Sequence, residues 1–331
     1  MKEGWERTEQ PLELSLEELN QIAAPAFPGR EIISFRRIGV GLSNSNYKIQ
    51  VEGDGRPYVL RFFRRGKDIA GKEVALTRLV RERVPVAEFV YADTSCSRYP
   101  KPWAVLEWKP GVLLSDIIRD GTLEEKASAA AAAGRTLAHI HGFPFEASGF
   151  FGSDLMVTQP FSMSGERFLA FMDDVIFHSP CEAWLGEELS RELWAFCKRY
   201  GPMLSASQEK PVLAHSDYNG LNILMEKGSE GYFVSAVLDW EEAFAWNRHA
   251  DLGNMLRYEA NGSWIEQHFI KGYEAEGMVL EKNWRLLSSL EDLVALCDML
   301  SHSTAETPNR VQDLRRLIAG TVRDGGSAEL I

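Results

Sequence analysis

A short polar loop in the second half of the chain constrains this sequence more than any other segment. Residues 215–222 read His-Ser-Asp-Tyr-Asn-Gly-Leu-Asn, so that Asp217 and Asn222 are five positions apart. The apolar runs 211–214 and 223–225 on either side are typical of short strands. Because strands would hold the loop at both ends, we expect its polar side chains to project into a cleft.

A second carboxylate follows at the end of the next apolar run. Tyr232–Leu238 reads as a strand, and the turn at Glu226–Gly231 predicts a hairpin that brings it back beside 223–225. Asp239 comes directly after this strand. The hairpin is therefore expected to place Asp239 close to Asn222.

Transfer of a phosphoryl group from ATP requires side chains of these types. They occur here in the same order along the chain as in kinases. Asp217 would orient the attacking hydroxyl, and His215 would support the loop rather than transfer protons. Asn222 and Asp239 would bind Mg²⁺ through the oxygen ligands that this ion prefers. Glu241 fits either a second metal ion or a plain surface position.

Candidate phosphate-binding groups lie in the first third of the chain. Residues 39–46 read Gly-Val-Gly-Leu-Ser-Asn-Ser-Asn and precede the strand Tyr47–Val51. Glycines allow backbone N–H groups to approach phosphate closely, although a plain hairpin turn remains the alternative. The candidates in this loop are Gly39, Gly41, Ser43 and Asn44.

An ion pair is predicted beside this loop. Arg61 lies on the strand Tyr58–Phe63, and Glu73 lies on the apolar stripe of a helix predicted over 69–82. Because a buried carboxylate needs a partner, we expect Glu73 to pair with Arg61 and to hold it against the phosphates. A purely structural salt bridge is the alternative.

The order of elements indicates an α+β fold with two lobes. Strands dominate 31–108, helices dominate the rest, and Lys109-Pro-Gly111 is the first clear linker. We expect a small antiparallel-sheet lobe with an N-terminal helix over residues 1–108, and a larger, mainly helical lobe over 109–331. The active site would lie in the cleft between them.

Charge and composition narrow the function classes. The net charge of −12 argues against nucleic acid as the partner. Residues 30–108 carry 15 Lys/Arg against 9 Asp/Glu, which suits a polyphosphate, whereas 109–331 carry 19 against 33, which suits a cationic substrate. No apolar run is long enough to span a membrane, the N-terminus is unlike a secretory signal, and four scattered cysteines suggest reduced thiols. These features favour a cytoplasmic protein.

Taken together, the motifs resemble the aminoglycoside phosphotransferase family, relatives of choline and homoserine kinases within the protein-kinase-like fold. Besides the loops already described, Val-Leu-Glu-Trp at 105–108 and Leu-Ala-His-Ile-His-Gly at 137–142 match. The resemblance implies that the backbone of Glu107 and Trp108 meets adenine and that Asp251 braces the catalytic loop from behind.

Two departures from the family pattern accompany these matches. Arg61 stands where protein kinases have lysine, although arginine can also clamp phosphate. Before Asp251, where Gly-Asp-Pro is frequent, the chain reads Trp246-Asn-Arg-His-Ala250.

The expected function is an O-phosphotransferase that uses ATP (or GTP) and Mg²⁺ to phosphorylate a small, cationic hydroxyl substrate. A metabolic kinase for choline, homoserine or a sugar fits the same motifs. A nucleotide-binding pseudokinase or adaptor, which keeps the fold without turnover, is the rival from another class. The sequence leaves monomer and homodimer open.

Overall fold

The computed structural model describes residues 4–7, 10, 12–39, 44–162, 164–206 and 210–327. The α-helices are α1 (Leu16–Ala23), α2 (Lys67–Val80), α3 (Leu114–Asp120), α4 (Leu123–His141), α5 (Gly165–Phe177), α6 (Cys181–Leu185), α7 (Glu187–Tyr200), α8 (His249–Leu256), α9 (Trp264–Glu274), α10 (Trp284–Ser301) and α11 (Pro308–Ser327). The strands are β1 (Ile32–Ile38), β2 (Ser45–Val51), β3 (Pro57–Phe62), β4 (Phe89–Asp93), β5 (Trp103–Glu107), β6 (Val112–Leu113), β7 (Gly149–Phe151), β8 (Val157–Pro160), β9 (Val212–Ala214), β10 (Ile223–Gly228), β11 (Gly231–Val237) and β12 (Phe244–Trp246). None of the helices in these residues is long and apolar enough to cross a bilayer.

The first lobe is built on a five-stranded antiparallel sheet with the order β1-β2-β3-β5-β4. Strand β2 alternates strictly, so that Tyr47, Ile49 and Val51 are buried against α1 while the residues between them are partly exposed. The predicted pairing of β2 with β3 is confirmed, with Tyr47 opposite Leu60. Helix α2 begins and ends two residues before the predicted bounds of 69–82.

The second lobe is mainly helical, and α4 is its central helix. Thr122 caps α4 and forms a capping box with Glu125, and the helix ends at His141. Together with the antiparallel sheet of the first lobe, these helices confirm the two-lobed α+β fold.

Two small sheets in the second lobe hold the polar loop. One has the order β11-β10-β6, and the other has the order β8-β7-β12-β9. Strand β9 leads directly into His215, and β12 follows the segment after Asp239. The prediction of a mainly helical lobe over 109–331 did not include β12, because strands of three or four residues are too short to show alternation.

Direct hydrogen bonds join the two lobes beside the cleft. Val237 N–H donates to the Pro85 carbonyl at 2.8 Å. The buried Lys72 of α2 extends its Nζ to the Ala243 carbonyl at 3.1 Å. Helix α2 is therefore tied to the segment that follows Asp239.

A glycine at the α4–α9 crossing provides a test of this packing. A Cβ atom on Gly134 would lie 2.0 Å from the Phe269 carbonyl oxygen, whereas one on Gly320 in α11 would meet nothing within 4 Å. We expect Gly134→Ala to lower the free energy of unfolding by about 1–3 kcal/mol. Gly320→Ala should leave it unchanged or raise it by about 0.5–1 kcal/mol. Equal denaturation midpoints for the two variants would contradict the crossing described.

Candidate active site

Side-chain amides clamp the carboxylate of Asp217 from two sides. Asn219 Nδ2 donates to Asp217 Oδ1 at 2.8 Å, and Asn222 Nδ2 donates to Asp217 Oδ2 at 2.8 Å. Because the nitrogen of the Asn222 amide is engaged in this way, its oxygen is the atom left to bind a cation. The loop therefore fixes the relative positions of the predicted catalytic carboxylate and the predicted metal ligand.

Asp251 supports this loop from behind, as the resemblance implied. Its carboxylate is fully buried and accepts the backbone N–H of His215 at 2.8 Å and that of Ser216 at 2.7 Å. The ring of His141 also contacts this carboxylate, with Nε2 at 3.1 Å from Asp251 Oδ2. Ser216 adopts a left-handed backbone conformation (φ 67°), which is costly for a residue other than glycine. The two N–H bonds hold this strained turn in place.

His215 is positioned to support the loop rather than to transfer protons. The ring is fully buried, and burial lowers its pKa and favours the neutral form. Its Nδ1 accepts the Asp217 N–H at 3.3 Å, so Nε2 carries the hydrogen that is donated to the Leu238 carbonyl at 3.0 Å. The ring thus joins the loop to the strand that leads to Asp239.

Asp239 reaches the same place from the neighbouring hairpin. Leu238 N–H donates to the Asn222 carbonyl at 2.8 Å, and the next residue, Asp239, turns out of the strand with φ 66° and ψ 64°. Its side chain is 30% exposed and approaches Arg61 Nη2 at 3.4 Å. Asp239 therefore lies between the polar loop and the first lobe.

The guanidinium of Arg61 is the centre of the first-lobe side of the site. Nη1 contacts Glu73 Oε1, which confirms the predicted pair. Its Nε donates to Asn46 Oδ1 at 3.1 Å. Asn46 was not among the predicted site residues, yet it is the direct cross-strand neighbour of Arg61. The hairpin register alone could have identified it.

Burial and negative charge shift the ionisation of this cluster. Burial raises the pKa of Glu73 to about 7, although the Arg61 guanidinium opposes the rise. Burial also raises the pKa of Asp239, and the carboxylates of Glu241 and Asp217 raise it further against the opposing effect of Arg61. The negative charge of the carboxylates in the cleft therefore exceeds the positive charge of Arg61.

Asn44 and Glu241 meet across the cleft. Glu241 is buried, which excludes the plain surface position, and it accepts Asn44 Nδ2 at 3.1 Å. The Asn44 oxygen Oδ1 accepts the Arg64 N–H at 3.1 Å. The Asn44 side chain, predicted to contact phosphate, thus bonds protein groups at both of its polar atoms.

The remaining loop candidates are placed only in part. Gly39 directly follows β1 and has a positive φ of 80°. Gly41 and Ser43 lie outside the described residues.

The predicted adenine-binding segment follows the last residue of β5. Glu107 ends that strand, and its N–H already donates to the Glu88 carbonyl at 3.0 Å. The Lys48 ammonium lies 3.7 Å from the centroid of the Trp108 ring, a cation–π distance. Backbone contacts to a base would therefore come from the Glu107 carbonyl and from Trp108, and not from the Glu107 amide.

An aromatic surface adjoins the loop on the second lobe. Phe244 of β12 pairs in register with Ala214, the residue before His215. Its ring lies 5.3 Å from that of Phe150, which is 46% exposed, and 5.9 Å from that of Phe161. The sequence analysis did not identify this surface, because β7 and β12 are too short to predict.

Comparison with known proteins agrees with this geometry. The model of the phosphotransferase enzyme family matches residues 34–287, which is most of the chain. The chain belongs to this family. Membership confirms the predicted phosphotransferase class and the resemblance to the aminoglycoside phosphotransferases. No curated protein matches the sequence.

Solved structures of the family share the fold at low identity. Wild-type aminoglycoside 2'-phosphotransferase-IIIa, solved as a GDP complex, is 18% identical, with a TM-score of 0.71 over 94% of this chain and 99% of that chain. A thermostable mutant of aminoglycoside phosphotransferase APH(4)-Ia, solved with AMP-PNP and hygromycin B, is 16% identical, with a TM-score of 0.69 over 93% and 98%. Both likenesses extend over the two lobes.

The ionisation of Glu73 gives a pH-dependent prediction. Its pKa is raised to about 7 in the folded protein, so protonation of Glu73 stabilises the fold. This stabilisation is complete below the unfolded-state pKa and is lost as the pH rises through 7. Relative to wild type, Glu73→Gln should therefore gain stability as the pH rises from 5 to 7, by about 1 kcal/mol per pH unit at most. Urea unfolding of both proteins across this range measures the difference. Stability curves that stay parallel would contradict the shift.

Proposed function

We propose that this chain transfers the γ-phosphoryl group of ATP or GTP to a hydroxyl of a small molecule, with Mg²⁺. The observation that carries the proposal is the hydrogen-bonded assembly of Asp217, Asn222 and the Asp239 hairpin beside Arg61. Residues 1–108 would form the nucleotide-binding lobe and residues 109–331 the catalytic lobe.

Asp217 has the geometry of the group that orients the acceptor. Two amide donors fix its carboxylate, and a carboxylate held in this way accepts the hydrogen of a hydroxyl in a defined direction. The buried, neutral His215 holds the backbone of Asp217 and stays outside the proton transfer. The loop thereby supplies orientation without further reorganisation during the reaction.

Asn222 and Asp239 fit a magnesium ion. Their free oxygens belong to a cleft in which Asp217, Asp239 and Glu241 act on one another electrostatically, so a divalent cation would relieve repulsion. Within the described residues, no group of three or more His, Cys, Asp or Glu side chains forms a complete metal site. Mg²⁺ in kinases needs no such group, because one or two protein oxygens, nucleotide phosphates and water complete its shell. When bound, the ion would neutralise charge on the β- and γ-phosphates.

Arg61 would hold the phosphates on the opposite side. Glu73, Asn46 and Asp239 each engage a different nitrogen of its guanidinium and fix its plane. A planar guanidinium with N–H groups to spare suits phosphate oxygens. Arginine in place of the usual lysine is thus supported by three partners that a lysine ammonium could not engage in the same plane.

The structural neighbours support both nucleotides. APH(4)-Ia was solved with AMP-PNP, an ATP analogue, and aminoglycoside 2'-phosphotransferase-IIIa with GDP. At 16–18% identity the likeness shows a shared fold and does not decide the nucleotide. We therefore propose either ATP or GTP as the phosphoryl donor of this chain.

A cationic acceptor is proposed for the second lobe. Residues 109–331 carry 33 Asp/Glu against 19 Lys/Arg, and the aromatic faces of Phe150 and Phe244 next to the loop can bind a cation. Two of the solved relatives were crystallised with hygromycin B or kanamycin. Choline, homoserine and sugars remain alternative acceptors, and a pseudokinase without turnover is the alternative outside catalysis.

A panel assay tests the proposed function. ATP and GTP consumption would be measured with Mg²⁺ against aminoglycosides, choline and other amino alcohols, hydroxy amino acids and sugars. We expect Mg²⁺-dependent turnover with a member of the panel, most strongly with a cationic one. Binding of Mg-ATP without turnover on any acceptor would favour the adaptor instead.

The role of Asp217 is tested by replacing one carboxylate oxygen. Asp217→Asn should lower the rate of transfer by about 10²–10⁴-fold, because the amide cannot accept the hydroxyl proton. The affinity for Mg-AMP-PNP, measured by calorimetry, should remain close to that of wild type. Asp120→Asn on the surface of α3 is the matched control and should leave both quantities unchanged. Wild-type turnover in Asp217→Asn would refute the assignment.

A further inference from the structure

The first described residues of the chain pack on the second lobe. Trp5 is only 8% exposed and belongs to the hydrophobic core around α5, α7, α10 and α11. Its Nε1 donates to Asp313 Oδ2 at 3.1 Å, and the Arg310 guanidinium lies 5.5 Å from the centroid of its ring. A residue at the start of the chain is thus anchored to the last helix described.

Glu6 strengthens the same anchor. Its carboxylate accepts the backbone N–H of Asn309 at 2.8 Å and that of Arg310 at 3.2 Å, both in the first turn of α11. N–H groups in the first turn of a helix have no intrahelical partner, and negative charge is favourable there. Two consecutive side chains therefore fix this segment to one helix end.

The next residue reaches the first lobe. Arg7 Nη2 donates to the Asn44 carbonyl at 3.4 Å, at the position just before β2. Slightly later, Leu12 N–H donates to Ser45 Oγ at 3.1 Å, and the Tyr47 hydroxyl donates to the Leu12 carbonyl. Residues 5–7 thus contact both α11 of the second lobe and the position just before β2 of the first lobe.

The start of β2 is connected directly to the charged cluster. Asn44, just before β2, bonds Glu241 across the cleft, and Asn46 within β2 accepts a hydrogen bond from Arg61 Nε. If the start of β2 moved, Asn44 and Asn46 would move with it. Glu241 and Arg61 would then lose these hydrogen-bond partners together. Asn44 and Asn46 therefore connect the start of β2 to Glu241 and to Arg61.

We propose that residues 4–7 form a strap that positions the start of β2, and through Asn46 and Asn44 the Arg61 clamp, relative to the metal-binding segment. Trp5 and Glu6 are its anchor on α11, and Arg7 is its contact with the first lobe. These are positioning residues, since none of them touches a reacting group. The proposal rests on the proposed function in that Arg61 holds the nucleotide phosphates.

The test separates positioning from plain stability. Trp5→Ala removes the anchor, and Trp264→Ala, an exposed tryptophan at the start of α9, is the matched control. At a temperature well below both melting points, Trp5→Ala should weaken Mg-AMP-PNP binding at least about fivefold, while the control stays at the wild-type value. A lowered melting temperature with unchanged nucleotide affinity would overturn the proposal.

Two further measurements keep the test decisive. Arg7→Ala removes the contact at the other end without opening the core, so it should weaken binding in the same direction, and Arg7→Lys should restore part of the loss. Hydrogen exchange of the β2 amides, which needs no nucleotide, should accelerate in both Trp5→Ala and Arg7→Ala. Failure of the wild type to bind nucleotide would refute the proposed function, whereas unchanged β2 exchange in both variants would refute the strap.

Discussion

The site depends on the buried guanidinium of Arg61 among carboxylates from both lobes. Glu73 comes from α2 of the first lobe, whereas Asp239 and Glu241 come from the segment after β11. Burial alone would lower the pKa of Arg61, but these three carboxylates outweigh it and raise the pKa. The guanidinium therefore remains charged, and it ties the first lobe to the segment that carries Asp239 and Glu241.

The loop 215–222 has a separate support that does not involve Arg61. Asp251 receives two consecutive N–H groups from the loop and the ring of His141, and His215 links the loop to the strand before Asp239. The loop can therefore keep a strained backbone at Ser216 while Asp217 stays in place. One half of the site is fixed by backbone hydrogen bonds and the other by charge, and the hydrogen bond from His215 to the Leu238 carbonyl connects them.

Features with a local signal were predictable from the sequence. The apolar runs Tyr47–Val51 and Tyr58–Phe63 marked the strands β2 and β3. Burial of Glu73 on an apolar stripe implied a cationic partner, and Arg61 fills that role. In each case the residues that carry the signal are close in sequence or belong to one regular element.

Contacts between distant segments were not predictable. Lys72 reaches the Ala243 carbonyl, Trp5 reaches Asp313, and neither pair shares a sequence pattern. The sheet β8-β7-β12-β9 is assembled from strands too short to show periodicity, so the aromatic surface beside the loop was also missed. Glu241 could not be assigned because its hydrogen-bond partner Asn44 lies 197 residues away in the chain.

The central claim is that the carboxylates around Arg61 form a site for a magnesium–nucleotide complex. Calorimetric titration of AMP-PNP with and without Mg²⁺, on the wild type and on Asp239→Asn, tests it most directly. We expect Mg²⁺ to strengthen binding to the wild type by about tenfold or more and this gain to disappear in Asp239→Asn. An equal gain from Mg²⁺ in both proteins would contradict it.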